Sequence, residues 1–243
     1  MRINMTDLSI IFPCYNEEKN LTLLIKKIIA TKKKNSKTII EFIIVNNGST
    51  DNTAKILNKL NHKKLFKVIN IKKNQGYGGG ILKGLFSAKG KIVSWTHADL
   101  QCEPNDILKS IHTYRKEIYN NNIIIKGKRT NRRILDNFFS ICMAYFASVV
   151  FRKKFNDVNA QPKIFNRKFL KHLKKAPKDF SLDLFVLFMA KKKLYRILEY
   201  PVYYKKRLRG IAKGGDSFLG KLLLSIRTLK FIISLKIKVI WKS

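Results

Sequence analysis

At 243 residues, with 45% hydrophobic and 11% aromatic side chains, the chain is long enough and apolar enough to bury a substantial core, which excludes a disordered polypeptide. Its 51 Lys+Arg against 15 Asp+Glu give a formal charge of +36, and residues 111–243 carry 32 basic and 7 acidic groups, or +25 of that total. The second half therefore faces something anionic: nucleic acid, an anionic membrane surface or a phosphorylated substrate, with an A/T-biased genome accounting for part of the lysine. Cys14, Cys102 and Cys142 are odd in number and lack C-x-x-C spacing, which argues against a disulfide framework or a zinc site and suits a reducing cytosol. The stretch Met1–Asp7 has no long apolar run, so no signal peptide is expected.

Leu8-Ser9-Ile10-Ile11-Phe12 predicts a first strand stopped by Pro13. A helix follows from about Glu17 to Lys33, with Leu21, Leu24, Ile25, Ile28 and Ile29 as its apolar face. Ile39–Val45 is nearly all apolar, as a strand buried on both faces should be. Asn46–Asp51 is then a turn capping a helix that carries Ala54, Ile56, Leu57 and Leu60. Val68–Ile71 is a third strand, and a glycine-rich turn opens a helix over about Gly79–Ala88. That turn lacks the Lys-Ser/Thr ending of a phosphate loop, so its glycines signal close helix packing.

The fourth strand, Ile92-Val93-Ser94-Trp95, ends abruptly in Thr96-His97-Ala98-Asp99-Leu100-Gln101. If the extended conformation persists, His97, Asp99 and Gln101 face one way, a set that suits a divalent cation and the phosphates it carries. Pro104 begins a helix running to about Tyr119, Ile123–Ile125 is a fifth strand, and Lys126–Arg133 leaves it as a basic loop. The strand and helix alternation implies an α/β fold with a right-handed, wound, mostly parallel sheet flanked by helices, whose carboxyl edge is the expected ligand site. Asn137–Phe151 is 15 uncharged residues, too short to span a bilayer comfortably; it suits an interfacial or groove-lining helix, or equally a core helix. A short strand is expected at Lys163–Phe165. Phe218–Trp241 is apolar but broken by Lys221, Arg227, Lys230, Lys236 and Lys238, a basic C-terminal helix lying on a surface or packed on the domain.

At Pro13-Cys14-Tyr15-Asn16-Glu17, Asn46-Asn47-Gly48-Ser49-Thr50-Asp51 and His97-Ala98-Asp99-Leu100-Gln101 the chain resembles the family 2 glycosyltransferases of the nucleotide-sugar-dependent GT-A fold. Members show P-x-Y-N-E after the first strand, D-D-G-S-T-D after the second and D-x-D after the fourth, in this order and spacing. The likeness covers roughly residues 8–210. Within the family it is greatest to the dolichol-phosphate mannose synthase and polyprenyl-phosphate glycosyltransferase branch, through Gly127-Lys128-Arg129 for G-S-R and Arg207-Leu208-Arg209-Gly210 for R-x-x-G. The resemblance implies a GT-A domain over residues 1–210 and a basic apolar helical extension over 211–243.

By that resemblance Pro13, Tyr15, Glu17, Asn46 and Asn47 line the base and ribose pocket, together with Ala98. Asp99 and Gln101, with His97, hold Mn²⁺ or Mg²⁺, and Arg129, Arg132 or Arg133, and Arg207 meet phosphates. Asn159 and Gln161 fall where relatives pass beneath the donor sugar. Two departures matter: His97 replaces the first aspartate of D-x-D, shifting preference toward Mn²⁺, and Asn46 and Asn47 replace two aspartates, which leaves uracil versus guanine open.

Transfer from a nucleotide sugar requires neutralising the departing diphosphate, which a cation and arginine forks supply. A lipid phosphate acceptor needs no strong base, its second pKa lying near ~6. A sugar hydroxyl acceptor, as in polysaccharide or glycolipid synthesis, does need one. Asp183 is the candidate, with Asp179 behind it, though both also suit a helix N-terminus. The expectation is an inverting transferase acting on a polyprenyl phosphate, cytoplasmic and peripheral on the cytosolic face of an anionic membrane, with room for a membrane-protein partner. A non-catalytic nucleic-acid-binding protein is the alternative of another class, disfavoured because the lysines are scattered and no aromatic-interleaved motif stands out.

Overall fold

The computed structural model describes residues 7–61, 65–119, 122–131, 134–205 and 218–240. Its elements are β1 (Leu8–Cys14), α1 (Glu18–Lys34), β2 (Ile40–Asn47), α2 (Thr53–Leu60), β3 (Lys67–Ile71), α3 (Gly76–Ser87) and β4 (Ile92–Trp95). These are followed by α4 (Pro104–Thr113), α5 (Arg115–Ile118), β5 (Ile123–Thr130), α6 (Ile134–Phe151), β6 (Lys163–Asn166), a 3₁₀ helix (Arg167–Leu173), α7 (Leu182–Lys192), β7 (Arg196–Tyr203) and α8 (Phe218–Ile240). The strands form one seven-stranded sheet in the order β3-β2-β1-β4-β6-β5-β7. Pairing is parallel except at β6, which runs antiparallel to both β4 and β5.

Alternation along the strands sorts the core into two layers. Ile10 and Phe12 of β1, with Phe42 and Ile44 of β2, pack against Leu21, Leu24, Ile25 and Ile28 of α1. Ile11, Ile43 and Val45 face the other way, onto Ile81, Leu82 and Leu85 of α3, and Phe185 and Val186 of α7 join that layer. Side chains of this kind contribute roughly 1.5–3 kcal/mol each when fully buried. Gly84 lets α3 approach closely, since a Cβ there would stand 2.4 Å from Ile11 Cγ2. A third cluster joins α6, α7 and α8 through Ala147, Phe151, Leu187 and Ile232.

Several expected boundaries shift. β1 continues through Pro13 to Cys14: Ile11 and Pro13 point their backbone groups the same way, and β4 has ended by then, Thr96 N–H donating to Ile11 O at 3.1 Å. Ile29 is 46% exposed and outside the apolar face of α1. α3 begins at Gly76, three residues earlier than expected, and the Pro104 helix breaks at Tyr114 into α4 and α5. β5 takes in the first half of the supposed basic loop as far as Thr130, because its whole length pairs with β7 and the buried Lys126 finds Glu199 at 3.0 Å. α6 buries Ala144, Ala147 and Phe151 and exposes Ile141, Tyr145 and Val149, so it is a half-covered helix. α8 is seated through Ile232 while Leu219, Leu223, Ile233 and Ile237 face outward. No helix among the described residues is long and apolar enough to cross a membrane.

Candidate active site

The order β2-β1-β4 brings the ends of three parallel strands side by side, and the winding reverses between β1 and β4, where open α/β sheets bind ligands. The first two loops are laced together. Asn16, held at φ 54°, donates its N–H to Ser49 Oγ at 3.0 Å, and its Oδ1 accepts from Thr50 N–H at 2.8 Å. Glu17 N–H donates to Thr53 Oγ1 at 3.0 Å, and the Glu18 carboxylate accepts from Asn52 N–H at 3.0 Å. Pro13, Tyr15 and Glu17 thus sit half-buried on a fixed rim, Glu17 accepting from Asn20 Nδ2 at 2.7 Å.

Asn46 and Asn47 are buried at the end of β2 and are occupied by the protein itself. Asn46 Nδ2 donates to Asn70 Oδ1 at 3.0 Å, and its Oδ1 accepts from Ser49 N–H at 3.2 Å. Asn47 Nδ2 donates to Asn74 Oδ1 at 3.2 Å and to the Gly76 carbonyl at 2.9 Å, while Oδ1 accepts from Gln75 N–H at 3.1 Å. Backbone groups on both sides fix that amide, and a carboxylate could not replace it without setting an oxygen against two acceptors. Asn47→Asp is therefore expected to destabilise the fold by about 1–3 kcal/mol at neutral pH. Chemical denaturation should show part of the loss recovered as the pH falls and the new carboxyl protonates; an unchanged midpoint would contradict this.

After Trp95 the extended conformation does not persist. Residues 98–101 turn, Leu100 lies at φ 61°, and His97, Asp99 and Gln101 do not form the one-sided row expected of a strand. Asp99 and Ala98 are buried at the carboxyl edge, and the Asp99 carboxylate accepts from Gln101 N–H at 3.1 Å. Gln101 is tied reciprocally to Lys205: its Nε2 donates to the Lys205 carbonyl at 3.2 Å, and its carbonyl accepts from Lys205 N–H at 3.0 Å. The Lys205 and Lys27 ammonium groups both reach Glu103 and hold its carboxyl below the usual range. Among the described residues no three His, Cys, Asp or Glu groups gather closely enough to hold a metal. A cation held by the Asp99 carboxylate would share its oxygen ligands with phosphate and water.

On the β6 side lies a buried polar network. Asp183, at the start of α7 as expected, accepts from Tyr77 Oη–H at 2.9 Å and from Gln161 Nε2 at 3.1 Å, and it pairs with the fully buried ammonium of Lys163. Burial pushes the Lys163 amine below its usual value, with the Asp183 charge opposing. Burial and the same carboxylate push the Tyr77 phenol well up. Arg129 is clasped by Asp157, which accepts from its N–H at 2.9 Å and from its Nε at 2.8 Å, with the ring of Tyr204 5.4 Å from the guanidinium carbon. Burial would raise the Asp157 carboxyl, but Arg129 holds it below its ordinary value. Gln161 is buried and Asn159 exposed; Arg132, Arg133 and Arg207 lie outside the described residues. The exposed side of α6 and the loop after it line a groove of about 600 Å³, to which α6 contributes Ile141, Tyr145 and Val149 and the following loop Arg152, Lys153, Lys154 and Asp157.

Tyr77, Lys163 and Asp157 were not singled out individually in the sequence. The one available signal was a lysine opening a short strand ahead of Ile164 and Phe165, which calls for a partner if that end is buried.

Residues 9–174 match the family model described as Glycosyl transferase family 2. The undecaprenyl-phosphate 4-deoxy-4-formamido-L-arabinose transferase of Proteus mirabilis is 34% identical over 133 residues, 54% of this chain and 39% of that protein. The dolichyl-phosphate beta-glucosyltransferase of Dictyostelium discoideum is 26% identical over 217 residues, 80% of this chain and 65% of that protein. The chain thus spans less than two thirds of either transferase's own length. Among solved structures, the glucosyl-3-phosphoglycerate synthase of Mycobacterium tuberculosis, in complex with Mn²⁺, UDP and phosphoglyceric acid, superposes with a TM-score of 0.71 at 15% identity, covering 95% of this chain and 78% of that one. That likeness establishes the shared fold.

Proposed function

The chain belongs to glycosyl transferase family 2, and from that premise we propose that it moves a sugar from a nucleotide-sugar donor to a polyprenyl phosphate, with inversion, at the cytosolic face of a membrane. The observation that carries the choice of acceptor is the state of Asp183. Its carboxylate accepts from Tyr77 and Gln161 and pairs with Lys163, so little of it is left to take a proton from a sugar hydroxyl. An acceptor that arrives ionised, as a phosphate largely does above its second pKa near ~6, needs no such base. The two transferases named above act on undecaprenyl and dolichyl phosphates, which supports the same reading.

The donor side rests on Asp99. With His97 and Gln101 beside it in sequence, it would hold the divalent cation that accompanies the diphosphate, as Mn²⁺ accompanies UDP in the mycobacterial synthase. When bound, that cation neutralises charge on the departing diphosphate. Pro13, Tyr15 and Glu17 form the rim for the nucleoside, with the buried Asn47 holding the turn beneath it, and Arg129, kept charged and oriented by Asp157, is a described residue suited to meet a phosphate. The α6 groove, lined by apolar side chains of the helix and by Arg152, Lys153 and Lys154, suits a lipid phosphate. The outward apolar side chains of α8, on a helix that also carries lysines, suit an anionic membrane surface. Residues 1–210 would then be the catalytic domain and 211–243 its membrane-facing extension.

The test is a transfer assay with radiolabelled UDP-glucose and GDP-mannose in the presence of Mn²⁺, offering polyprenyl phosphate, polyprenol and a free oligosaccharide as acceptors. Label is expected in the phosphate lipid alone. Label in the oligosaccharide alone, abolished by Asp183→Asn with donor binding intact, would instead make Asp183 a base and the acceptor a sugar hydroxyl.

A further inference from the structure

Phe180 is a large aromatic residue left 40% exposed at the rim of the site. Its ring stacks on Tyr77, with centroids 4.7 Å apart and planes at 12°, and Tyr77 in turn lies 5.7 Å from the His97 ring. Three aromatic rings therefore form a row that starts two residues before Asp99.

The row is held rigidly. The Tyr77 hydroxyl donates to Asp183 Oδ2 at 2.9 Å and accepts from Gln161 Nε2 at 3.1 Å, and Asp183 is fixed by Lys163. The segment leading to Phe180 is clamped to the start of α3: Gly79 N–H donates to the Lys178 carbonyl at 2.9 Å, and a Cβ on Gly78 would stand 2.6 Å from Pro177 O. A buried ion pair contributes little net stability. What this one fixes, on the side facing the site, is the ring of Tyr77.

Position indicates the ligand. Tyr15, Glu17 and Asn47 stand at the ends of β1 and β2, whereas Gln161 and Asp183 belong to the β6 and α7 side of the sheet. A diphosphate at Asp99 with its nucleoside over β1 and β2 has its other substituent over β4 and β6, beside the aromatic row. We propose that Phe180, backed by Tyr77, forms the wall on which the transferred sugar packs its C–H face, making Phe180 a specificity-determining residue and Tyr77, Asp183 and Lys163 positioning residues. Aromatic walls with a few fixed polar groups are the usual lining of small-molecule sites, and a pyranose offers an apolar face to one. This inference rests on the donor reading given above.

Calorimetric titration in Mn²⁺ with UDP, UDP-glucose, GDP and GDP-mannose separates the two. For the pair that the unaltered chain binds, Phe180→Ala is expected to weaken the sugar-bearing ligand about tenfold while the bare diphosphate stays within about twofold. Phe180→Tyr should restore the sugar-bearing ligand, and Tyr77→Phe, which keeps the ring but loses its hold on Asp183, should weaken it to a lesser degree without affecting the diphosphate. Equal weakening of both ligands, or of neither, in Phe180→Ala overturns the sugar wall. Binding of none of the four ligands by the unaltered chain overturns the donor reading itself, and this inference with it.

Discussion

Replacing Lys163 by methionine is expected to destabilise the protein by about 3–5 kcal/mol, because it leaves the Asp183 carboxylate buried without its counter-charge. Both side chains are essentially inaccessible, 0% and 3% exposed, so water cannot take the place of the ammonium. Tyr77 and Gln161 still donate to the carboxylate but bring no formal charge. The double variant Lys163→Met, Asp183→Asn removes both charges and should recover more than half of the loss, with methionine filling the lysine's volume beside Trp95. Urea denaturation of the two single variants and the double variant measures the coupling directly. Additive losses would mean that the pair does not act as a closed unit.

Asp99→Ala is expected to lower sugar transfer at least about a hundredfold, since a cation at the departing diphosphate supplies several kcal/mol of charge stabilisation. The fold should survive, because Gln101, which loses its N–H bond to the Asp99 carboxylate, stays tied to Lys205 on both its backbone and its side chain. Unchanged denaturation together with lost turnover is the expected pair of results. Full activity in Asp99→Ala would remove the basis for a cation site at the end of β4.

The buried strands were legible because a parallel sheet covered on both faces demands nearly continuous apolar runs, and Ile39–Val45 and Ile92–Trp95 can serve little else. The three loop motifs were legible because each is contiguous. What the chain order hid was set by partners distant in sequence. Pro13 reads as a strand stop, yet its missing N–H costs nothing where β4 has already ended. Lys126–Thr130 reads as a basic loop, yet β7 pairs with it along its length. Lys163 and Asp183 are 20 residues apart, and Arg129 and Asp157 are 28 apart; no local pattern announces either pair. Asp183 shows the limit most clearly. Its place at a helix start was visible in the sequence, but whether it was free to act as a base depended on three donors, none of them nearer than 20 residues.

The most direct measurement is calorimetric titration of the unaltered chain with UDP and with GDP, each with and without Mn²⁺. One of the two nucleotides is expected to bind, and only when the cation is present. Binding of neither, or binding of equal strength after chelation of the cation, would contradict a metal-dependent donor site at Asp99.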